Sequence, residues 1–373
     1  MLEKILSGTQ KVRLIGVAIA ALAALGVVLA GMATFANAQS RAPSPNPATP
    51  DRSGATITPS DAKSAAMRTV IDDDGRKVVI PADVRRVVSV APNLTETIYA
   101  LGLEDKLAGD TDYCDTPPAA KLKPHVGGPM NPNLESIVAL HPDLVLASAI
   151  NQWDTEHALE HLGIPVYGSD PQTVEGMLAS TRKIADILGA GEKGAALTAQ
   201  LQARLDALQT KLADRPLVHV LFVVWMDPLI TIGQNTFISD ALHWAGAESV
   251  VISDQKWPHL SFEEIVRVQP EYIVLTPDHH ESNAQGLADL RSRAGWKDLD
   301  AVEMGHVITI SADVNRPSPG MIDAIEQAAR ILHPEAFASD KENTSTRSDS
   351  NARPDSHARQ HANETKECAA CGR

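Results

Sequence analysis

Two glutamates occupy matching places in a segment that the chain contains twice. Glu135 lies in residues 134–146, Leu-Glu-Ser-Ile-Val-Ala-Leu-His-Pro-Asp-Leu-Val-Leu, and Glu263 lies in residues 262–274, Phe-Glu-Glu-Ile-Val-Arg-Val-Gln-Pro-Glu-Tyr-Ile-Val. In each copy a short helical pattern carries the glutamate, a proline ends the helix, and an aliphatic run typical of a buried parallel strand follows. Such glutamates suit ion pairing, or they are solvated acids favoured by the helix dipole. The duplication predicts two similar α/β lobes with a cleft between them.

The motifs that usually indicate catalysis are missing from the sequence. There is no G-x-S-x-G elbow, no phosphate-binding P-loop, and no G-x-G-x-x-G that follows a strand. His157 and His161 share one face of a predicted helix without a third ligand nearby, so we expect solvated side chains and no metal site. The formal net charge of −14 argues against nucleic acid as a partner. An exported α/β enzyme and a membrane-anchored scaffold or sensor remain as alternatives from other classes.

The N-terminal region predicts export. Residues 1–38 combine basic residues, a long uncharged apolar run and an Ala-x-Ala ending, which is the pattern of a signal peptide. Because the apolar run reaches the length of a membrane span, an uncleaved anchor is the alternative. Residues 39–67 are rich in Pro, Ser, Thr and Ala and predict a flexible linker. We therefore expect a periplasmic or otherwise exported protein.

The C-terminal region predicts disorder. Residues 338–373 contain no Leu, Ile, Val, Met, Phe, Tyr or Trp, so they cannot offset the entropy of ordering. Cys368 and Cys371 form a C-x-x-C pair there, the spacing of a redox or metal half-site. Cys114, in the folded region, is expected to be a partly buried thiol without a chemical role.

Strand and helix patterns alternate through the rest of the chain. They predict parallel sheets covered by helices in an N-terminal lobe, 68–188, and a C-terminal lobe, 215–337. A lead-in hairpin precedes the first buried strand, and Asn93 with Glu96 three residues later suggests a capped helix start. Predicted strands are 69–71, 77–80, 85–90, 107–109, 144–147, 165–167 and 217–224, and predicted helices are 134–140, 155–162, 174–188, 237–245 and 321–332.

A single long helix is predicted to connect the lobes, over 189–214. Its apolar residues recur every three or four positions, as in an amphipathic helix. They are Leu197, Leu201, Leu205, Leu208 and Leu212. A helical connection resists bending more than flexible strands do, so we expect a small closure motion.

Several short motifs, taken in order, resemble a known family. They are Arg-Val-Val-Ser-Val-Ala-Pro-Asn-Leu-Thr-Glu at 86–96, Ala-Leu-Gly at 100–102, Asp-Tyr at 112–113 and Asn-Leu-Glu at 133–135. This ensemble is similar to the periplasmic substrate-binding proteins of ABC importers that carry cobalamin, heme or iron-siderophores. The resemblance covers about residues 69–332. It implies a monomeric binding protein without a resident cofactor, whose partners are the permease subunits of an importer.

Within that group the resemblance favours the corrinoid binders. Trp257 stands six residues before Glu263, as in their second lobe, and Tyr113 lies in an Asp-Tyr loop of the first. A corrin ring is broad, partly apolar and edged with amides, so flat side chains suit its faces. Trp225 ends the first strand of the second lobe, where such a fold opens its cleft. The further candidates are Arg316 for an amide or carboxylate, Met130 for an apolar surface and His259 for a rim hydrogen bond or an axial ligand. A local ion pair with Asp313 is the alternative for Arg316.

One position departs from the corrinoid pattern, and two roles depend on the family alone. Pro129 stands where the corrinoid binders have a tryptophan before the first glutamate. Heme or a ferric siderophore is therefore the alternative ligand in the same fold. By the same resemblance, Glu135 would dock onto one permease subunit and Glu263 onto the other.

Overall fold

The computed structural model describes residues 66–151, 153–277 and 282–338. The predicted leader, the linker up to residue 65 and the tail from residue 339, with Cys368 and Cys371, lie outside the described residues. Within those described ranges no helix combines the length and the apolar character needed to cross a bilayer.

Strands and helices alternate along the described chain. The strands are β1 (Met67–Ile71), β2 (Lys77–Pro81), β3 (Val87–Ser89), β4 (Leu107–Gly109), β5 (Gly127–Gly128), β6 (Asn131–Pro132), β7 (Leu144–Ala147), β8 (Val166–Gly168), β9 (Val218–Phe222), β10 (Trp225–Met226), β11 (Leu229–Ile230), β12 (Ala247–Ser249), β13 (Tyr272–Leu275) and β14 (Val307–Thr309). The helices are α1 (Pro92–Ala100), α2 (Leu134–Ala139), α3 (Trp153–His161), α4 (Val174–Ile187), α5 (Gly191–Leu212), α6 (Phe237–Trp244), α7 (Phe262–Val268), α8 (Asn283–Ser292), α9 (Asp300–Glu303) and α10 (Met321–Leu332).

The two lobes have the same sheet topology. The first sheet has the strand order β4-β3-β7-β8 and the second has the order β12-β9-β13-β14. All neighbouring strands in both sheets are parallel. The repeated segments supply β7 and β13, which take the same third place in their sheets. The predicted fold class, two α/β lobes with parallel sheets, is confirmed.

The central strands are buried on both faces, which explains their unbroken aliphatic runs. In β7, Leu144 and Leu146 pack into one core cluster of the first lobe, whereas Val145 and Ala147 pack into the cluster on the opposite face. Because successive side chains of a strand point to opposite faces, a run without polar residues fits only a sheet covered on both sides.

The helix in each repeat begins and ends by the same local devices. The side chain of Asn133 accepts a hydrogen bond from Ser136 N before α2, and that of Ser261 accepts from Glu264 N before α7. The residue before each proline has a positive φ, 46° at His141 and 43° at Gln269. A left-handed residue ends a helix by turning the chain away from the axis, and proline then prevents its continuation.

The acid after each proline connects neighbouring strands. Asp143 accepts hydrogen bonds from the backbone N–H groups of Arg85 and Arg86, both at 2.8 Å, just before β3. Glu271 accepts from His219 N, in β9, at 3.0 Å. The Pro-Asp and Pro-Glu pairs therefore hold β7 in register with β3 and β13 in register with β9.

Helices α4 and α5 form the connection between the lobes. The buried face of α5 carries Leu201, Leu205, Leu208 and Leu212, as its periodicity predicts. Helix α4 packs into both lobes, because Met177 near its start lies in the core cluster of the second lobe and Ile184 near its end lies in a cluster of the first. The lobes are thus joined by shared packing along α4 as well as by the chain through α5.

One predicted helix start is wrong. Helix α1 begins at Pro92 after Ala91, without a side-chain cap, so Asn93 does not cap it. Proline is favoured in a first turn because its missing N–H would have no helical partner there. Glu96, expected to assist the cap, is buried and has a different role described below. Helices α8 and α9 and the edge strands β12 and β14 were not predicted.

Candidate ligand-binding cleft

A cavity of about 670 Å³ lies between the lobes. Its walls follow the carboxyl ends of strands β3, β7 and β8 in the first lobe and of β9 and β13 in the second. Parallel α/β sheets place their ligands at this edge, because the loops leave the sheet there. The lining residues are Pro92, Asn93, Ser148, Ala149, Ile150, Ser169, Asp170, Gln172, Phe222, Val223, Val224, Trp225, Thr236, Phe237, Ile238, Lys256, Trp257, Thr276, Asn315, Arg316 and Pro317.

Two tryptophans form the aromatic part of the second lobe's wall. Trp225 is 56% exposed and donates its indole N–H to Asp227 O at 2.9 Å, which holds the ring against the β10–β11 hairpin. Trp257 is 43% exposed, on a loop that is bonded to the lobe through Thr231 N and Pro258 O at 3.1 Å. Two half-exposed indoles in one cavity wall present flat apolar surface to a ligand.

Gly233 allows the Trp257 loop to sit close to the lobe. Its N–H donates to Lys256 O at 2.9 Å, and a Cβ built on Gly233 would overlap the carbonyl oxygen of Gln255. Since that neighbour is backbone and cannot swing aside, a side chain at this position would displace the loop.

The first lobe's wall is braced by one asparagine. The side chain of Asn151 donates to Val90 O at 2.8 Å and to Pro129 O at 2.6 Å, and it accepts from Ser148 N at 2.7 Å. It thereby joins the end of the β3 region, the β5–β6 hairpin and the loop after β7. Ile150, half exposed in that loop, contributes the apolar surface of this wall.

Three of the six predicted ligand residues line the cavity and three do not. Trp225, Trp257 and Arg316 are in the wall. Tyr113 is largely exposed beside Gly128, Met130 is exposed in the adjoining β5–β6 turn, and His259 is exposed and pairs through its backbone with Ile230. Contact of these three with a ligand that extends beyond the cavity stays a prediction.

An ion-pair cluster crosses from lobe to lobe beside the cavity. Arg316 Nε lies 2.7 Å from Glu96 Oε1 of α1, and Ser318 Oγ donates to Glu96 Oε2 at 2.6 Å. The same guanidinium also contacts Asp313 at 2.9 Å, which was the local pairing expected as an alternative for Arg316. Burial raises the pKa of Glu96, and the facing Arg316 guanidinium opposes that rise.

Other wall residues were not singled out from the sequence. Asn93, Ile150, Asp170, Phe237 and Lys256 all line the cavity. The signal that could have found most of them is positional, because each of Asn93, Ile150 and Asp170 comes within a few residues of the carboxyl end of a strand. Phe237 and Lys256 are brought in by longer loops whose paths the sequence does not reveal.

The two repeated glutamates are both exposed and hold the same helical position. Glu135 is the second residue of α2, and Glu263 is the second residue of α7. Glu264, next to Glu263, is instead engaged with Ser261 in a capping box. Among the described residues neither Glu135 nor Glu263 has an ion-pair partner within the chain.

Cys114 and the histidine pair have structural surroundings. Cys114 is buried, with its sulfur 3.2 Å from the hydroxyls of Thr95 and Thr111, and burial raises the pKa of its thiol. His161 bonds to the His157 carbonyl at 2.7 Å. Within the ranges that the structure describes, no group of three or more His, Cys, Asp or Glu side chains is arranged to hold a metal ion.

The sequence and the fold place this architecture in a known family. The periplasmic binding protein family matches residues 87–314, more than half of the chain. The chain belongs to this family of solute-binding proteins, within the group that includes vitamin B12 and heme binders.

Two sequence relatives and two solved structures illustrate the range of that group. The vitamin B12-binding protein of Vibrio cholerae is 29% identical over 255 residues, covering 68% of this chain and 90% of that protein. A crystal structure of the Vibrio cholerae vitamin B12 binding protein BtuF has a TM-score of 0.61 and 28% identity, covering 69% of this chain and 100% of that one. The ABC transporter substrate-binding lipoprotein YvrC of Bacillus subtilis, itself uncharacterized, is 31% identical over 278 residues, covering 72% of this chain and 86% of that protein. The periplasmic heme-binding protein BhuT, solved with two hemes, has a TM-score of 0.61 and 26% identity, covering 68% of this chain and 99% of that one.

Proposed function

We propose that this protein is an exported, monomeric binding protein that captures a corrinoid in the inter-lobe cavity and delivers it unchanged to an ABC importer. The single observation that carries the ligand class is the wall of the cavity. It combines two half-exposed indoles with aliphatic and amide side chains. A corrin ring is broad and partly apolar, with amides around its edge, so it complements such a wall. The similarity to vitamin B12-binding proteins supports the same ligand class.

The chemistry of the wall favours a corrinoid over heme. A heme-binding protein ordinarily supplies an axial ligand to the heme iron. The described residues of the cavity wall include no tyrosine, histidine, cysteine or methionine. A ferric siderophore would ask for several free cationic side chains, whereas the two basic residues of the described wall, Lys256 and Arg316, both face carboxylates.

Equilibrium dialysis of the full chain against cyanocobalamin, hemin and a ferric siderophore tests this proposal. We expect saturable binding of cyanocobalamin at one site per chain and recovery of the ligand with an unchanged absorption spectrum. Trp257→Ala should weaken binding on the order of tenfold or more, because it removes a desolvated aromatic contact. Ile252→Ala, an exposed aliphatic residue outside the cavity wall, is the control and should bind normally. Absence of corrinoid binding in the parent chain would reject the assignment.

We further infer that Glu135 and Glu263 dock onto the two permease subunits. The support is their matched exposure at the second position of equivalent helices, one in each lobe, free of intrachain ion pairs among the described residues. Exposed ion pairs contribute about 0.2–1 kcal/mol each, so these two would set orientation and association rate more than affinity.

Charge reversal separates docking from ligand capture. Glu135→Arg and Glu263→Arg should each lower importer-dependent uptake and leave the corrinoid dissociation constant unchanged. Glu175→Arg is a matched control, because Glu175 is also exposed at the second position of a capped helix, α4, outside the repeat. If Glu175→Arg impairs uptake equally, or if the first two variants lose ligand affinity, the docking assignment is wrong.

A further inference from the structure

Glu96 is the most deeply buried acid that contacts the cavity wall. It is 8% exposed, on α1 of the first lobe, and both of its carboxylate oxygens are engaged by the second lobe. One oxygen lies against Arg316 and the other accepts from Ser318, 222 residues away along the chain. A carboxylate in this position carries its charge into a poorly solvated region next to the ligand site.

Each basic side chain of the described cavity wall faces at least one carboxylate. Arg316 faces two carboxylates, Glu96 at 2.7 Å and Asp313 at 2.9 Å. Lys256 lies 4.0 Å from Asp170. Within the described wall each basic side chain therefore has an acidic neighbour, and the cluster around Arg316 carries one negative charge in excess.

An anionic ligand is at a disadvantage in such a cavity. Transfer of a carboxylate from water into an apolar site is costly unless a cation there pairs with it. The guanidinium that could do so is already paired with Glu96, and the remaining wall is largely aliphatic and aromatic. A neutral ligand avoids this cost.

We propose that Glu96 is a selectivity residue, which neutralises Arg316 so that the cavity accepts neutral ligands with amide edges and rejects carboxylate-bearing ones. This inference rests on the proposed binding function and narrows its ligand class. Glu96 outweighs Asp313 in this role because Asp313 is 30% exposed at its side chain and is screened by solvent, whereas Glu96 is shielded. Asp313 is also held by the hydroxyl of Ser311 at 2.8 Å.

The test compares two corrinoids that differ by one charge, in the full chain. The probes are cyanocobalamin and its monocarboxylic acid derivative, in which one peripheral amide is replaced by a carboxylate, and hemin is a second, unrelated anion. Glu96→Gln should raise the affinity for the monocarboxylate relative to cyanocobalamin on the order of tenfold, the effect of removing one shielded charge a few ångströms away. Hemin affinity should rise in the same variant.

Glu156→Gln is the matched control. Glu156 is an equally buried acid of the same lobe that pairs with an arginine, Arg76 at 3.0 Å, away from the cavity wall. Its substitution should leave the ratio of the two corrinoid affinities unchanged. An unchanged ratio in folded Glu96→Gln, or an equal loss of both ligands, overturns the selectivity role.

Two further arms keep the result decisive. If Glu96→Gln does not fold, Asp313→Asn removes the second acid on Arg316 and should shift the ratio in the same direction by a smaller factor, and no shift there overturns the inference. If the parent chain fails to bind cyanocobalamin, the proposed function fails. In that case the hemin arm still decides the role of Glu96, because hemin affinity must rise when its charge is removed.

Discussion

The two lobes are built from the same scaffold but present different chemistry to the cleft. Helices α2 and α7 and strands β7 and β13 match in cap, left-handed turn and sheet position. At the cavity the second lobe contributes two indoles, whereas the first contributes Ile150 on a loop braced by Asn151. The difference shows that the pattern of buried residues fixes the scaffold of both lobes. The loops beyond the strand ends decide which side chains each lobe presents to a ligand.

The largest expected effect tests whether the repeated helices are equivalent in the interior. Ile137 in α2 and Ile265 in α7 stand at the same place in the repeat, and both are fully buried. Ile137→Ala and Ile265→Ala should each lower the free energy of unfolding by about 2–5 kcal/mol, through lost burial and a residual cavity. Denaturant unfolding measures both, with the half-exposed neighbours Val138→Ala and Val266→Ala as controls expected within about 0.5 kcal/mol of the parent. A clear loss in one lobe alone would contradict the equivalence.

The second prediction tests the asymmetry of the cleft. Trp225→Ala, in the second lobe's wall, should weaken corrinoid binding on the order of tenfold, whereas Tyr113→Ala, outside the described wall, should change it by less than about threefold. Isothermal titration calorimetry with cyanocobalamin measures both dissociation constants. A larger loss at Tyr113 would show that the ligand extends over the first lobe's rim.

The third prediction concerns a buried acid, Asp110, whose equivalent position in the second lobe is occupied by Val250. Asp110 directly follows edge strand β4 and bonds to His125 at 2.8 Å, and Val250 follows the corresponding strand β12. Burial raises the pKa of Asp110 from 3.8 to about 6. The folded state therefore favours the protonated acid, so this contribution to stability is present below about pH 4 and is lost as the pH rises through about 6.

Asp110→Asn removes that titration. The free energy of unfolding of the variant, relative to the parent, should be higher at pH 7.5 than at pH 4.5 by on the order of 1–2 kcal/mol. Thermal or denaturant unfolding at the two pH values gives the difference directly. A difference of zero, or one of opposite sign, would mean that Asp110 is already ionised in the folded protein at low pH.

The smallest expected effect compares the two helix caps. Asn133→Ala and Ser261→Ala each remove the side-chain acceptor at the start of a repeated helix and should cost about 1 kcal/mol. The loss should be greater at Ser261, because its hydroxyl both accepts from Glu264 N and donates to Glu264 Oε2, whereas the Asn133 side chain accepts one bond from Ser136 N. Unfolding midpoints of the two variants decide the order, and a greater loss at Asn133 would contradict it.

Much of the scaffold was predictable because its signals are local. The Leu spacing of α5 indicated its buried face, and the predicted range 189–214 contains the observed helix Gly191–Leu212; the aliphatic runs indicated β7 and β13. The edge strands β12 and β14 were missed because their three-residue sequences, Ala-Glu-Ser and Val-Ile-Thr, contain polar residues and no unbroken aliphatic run. The start of α1 was misjudged because Asn93 has the residue type of a cap, although the chain turns into the helix one residue earlier, at Pro92.

The candidate site was predictable only in part, because the paths of its loops depend on contacts between segments that are distant in the sequence. Trp225 could be placed because it follows a strand end, and Trp257 because of the family resemblance. Tyr113 and Met130 were assigned because their loops resemble those of the family, but both lie outside the described cavity wall. Asn151 bonds to Pro129 and to Val90, and these bonds hold the loop that places Ile150 in the wall. A few hydrogen bonds between loops decided which apolar side chain lines the cavity.

By itself the sequence determined two α/β lobes, the connecting helix, the matched glutamates and the family, because periodicity, turn residues and duplication are properties of neighbouring residues. Only the tertiary structure decided that α4 packs into both cores and that Glu96, on the first helix of one lobe, pairs with Arg316 of the other. The physical reason is that such a pairing depends on how two lobes meet. No local pattern records that geometry, yet it sets the charge of the cavity between them.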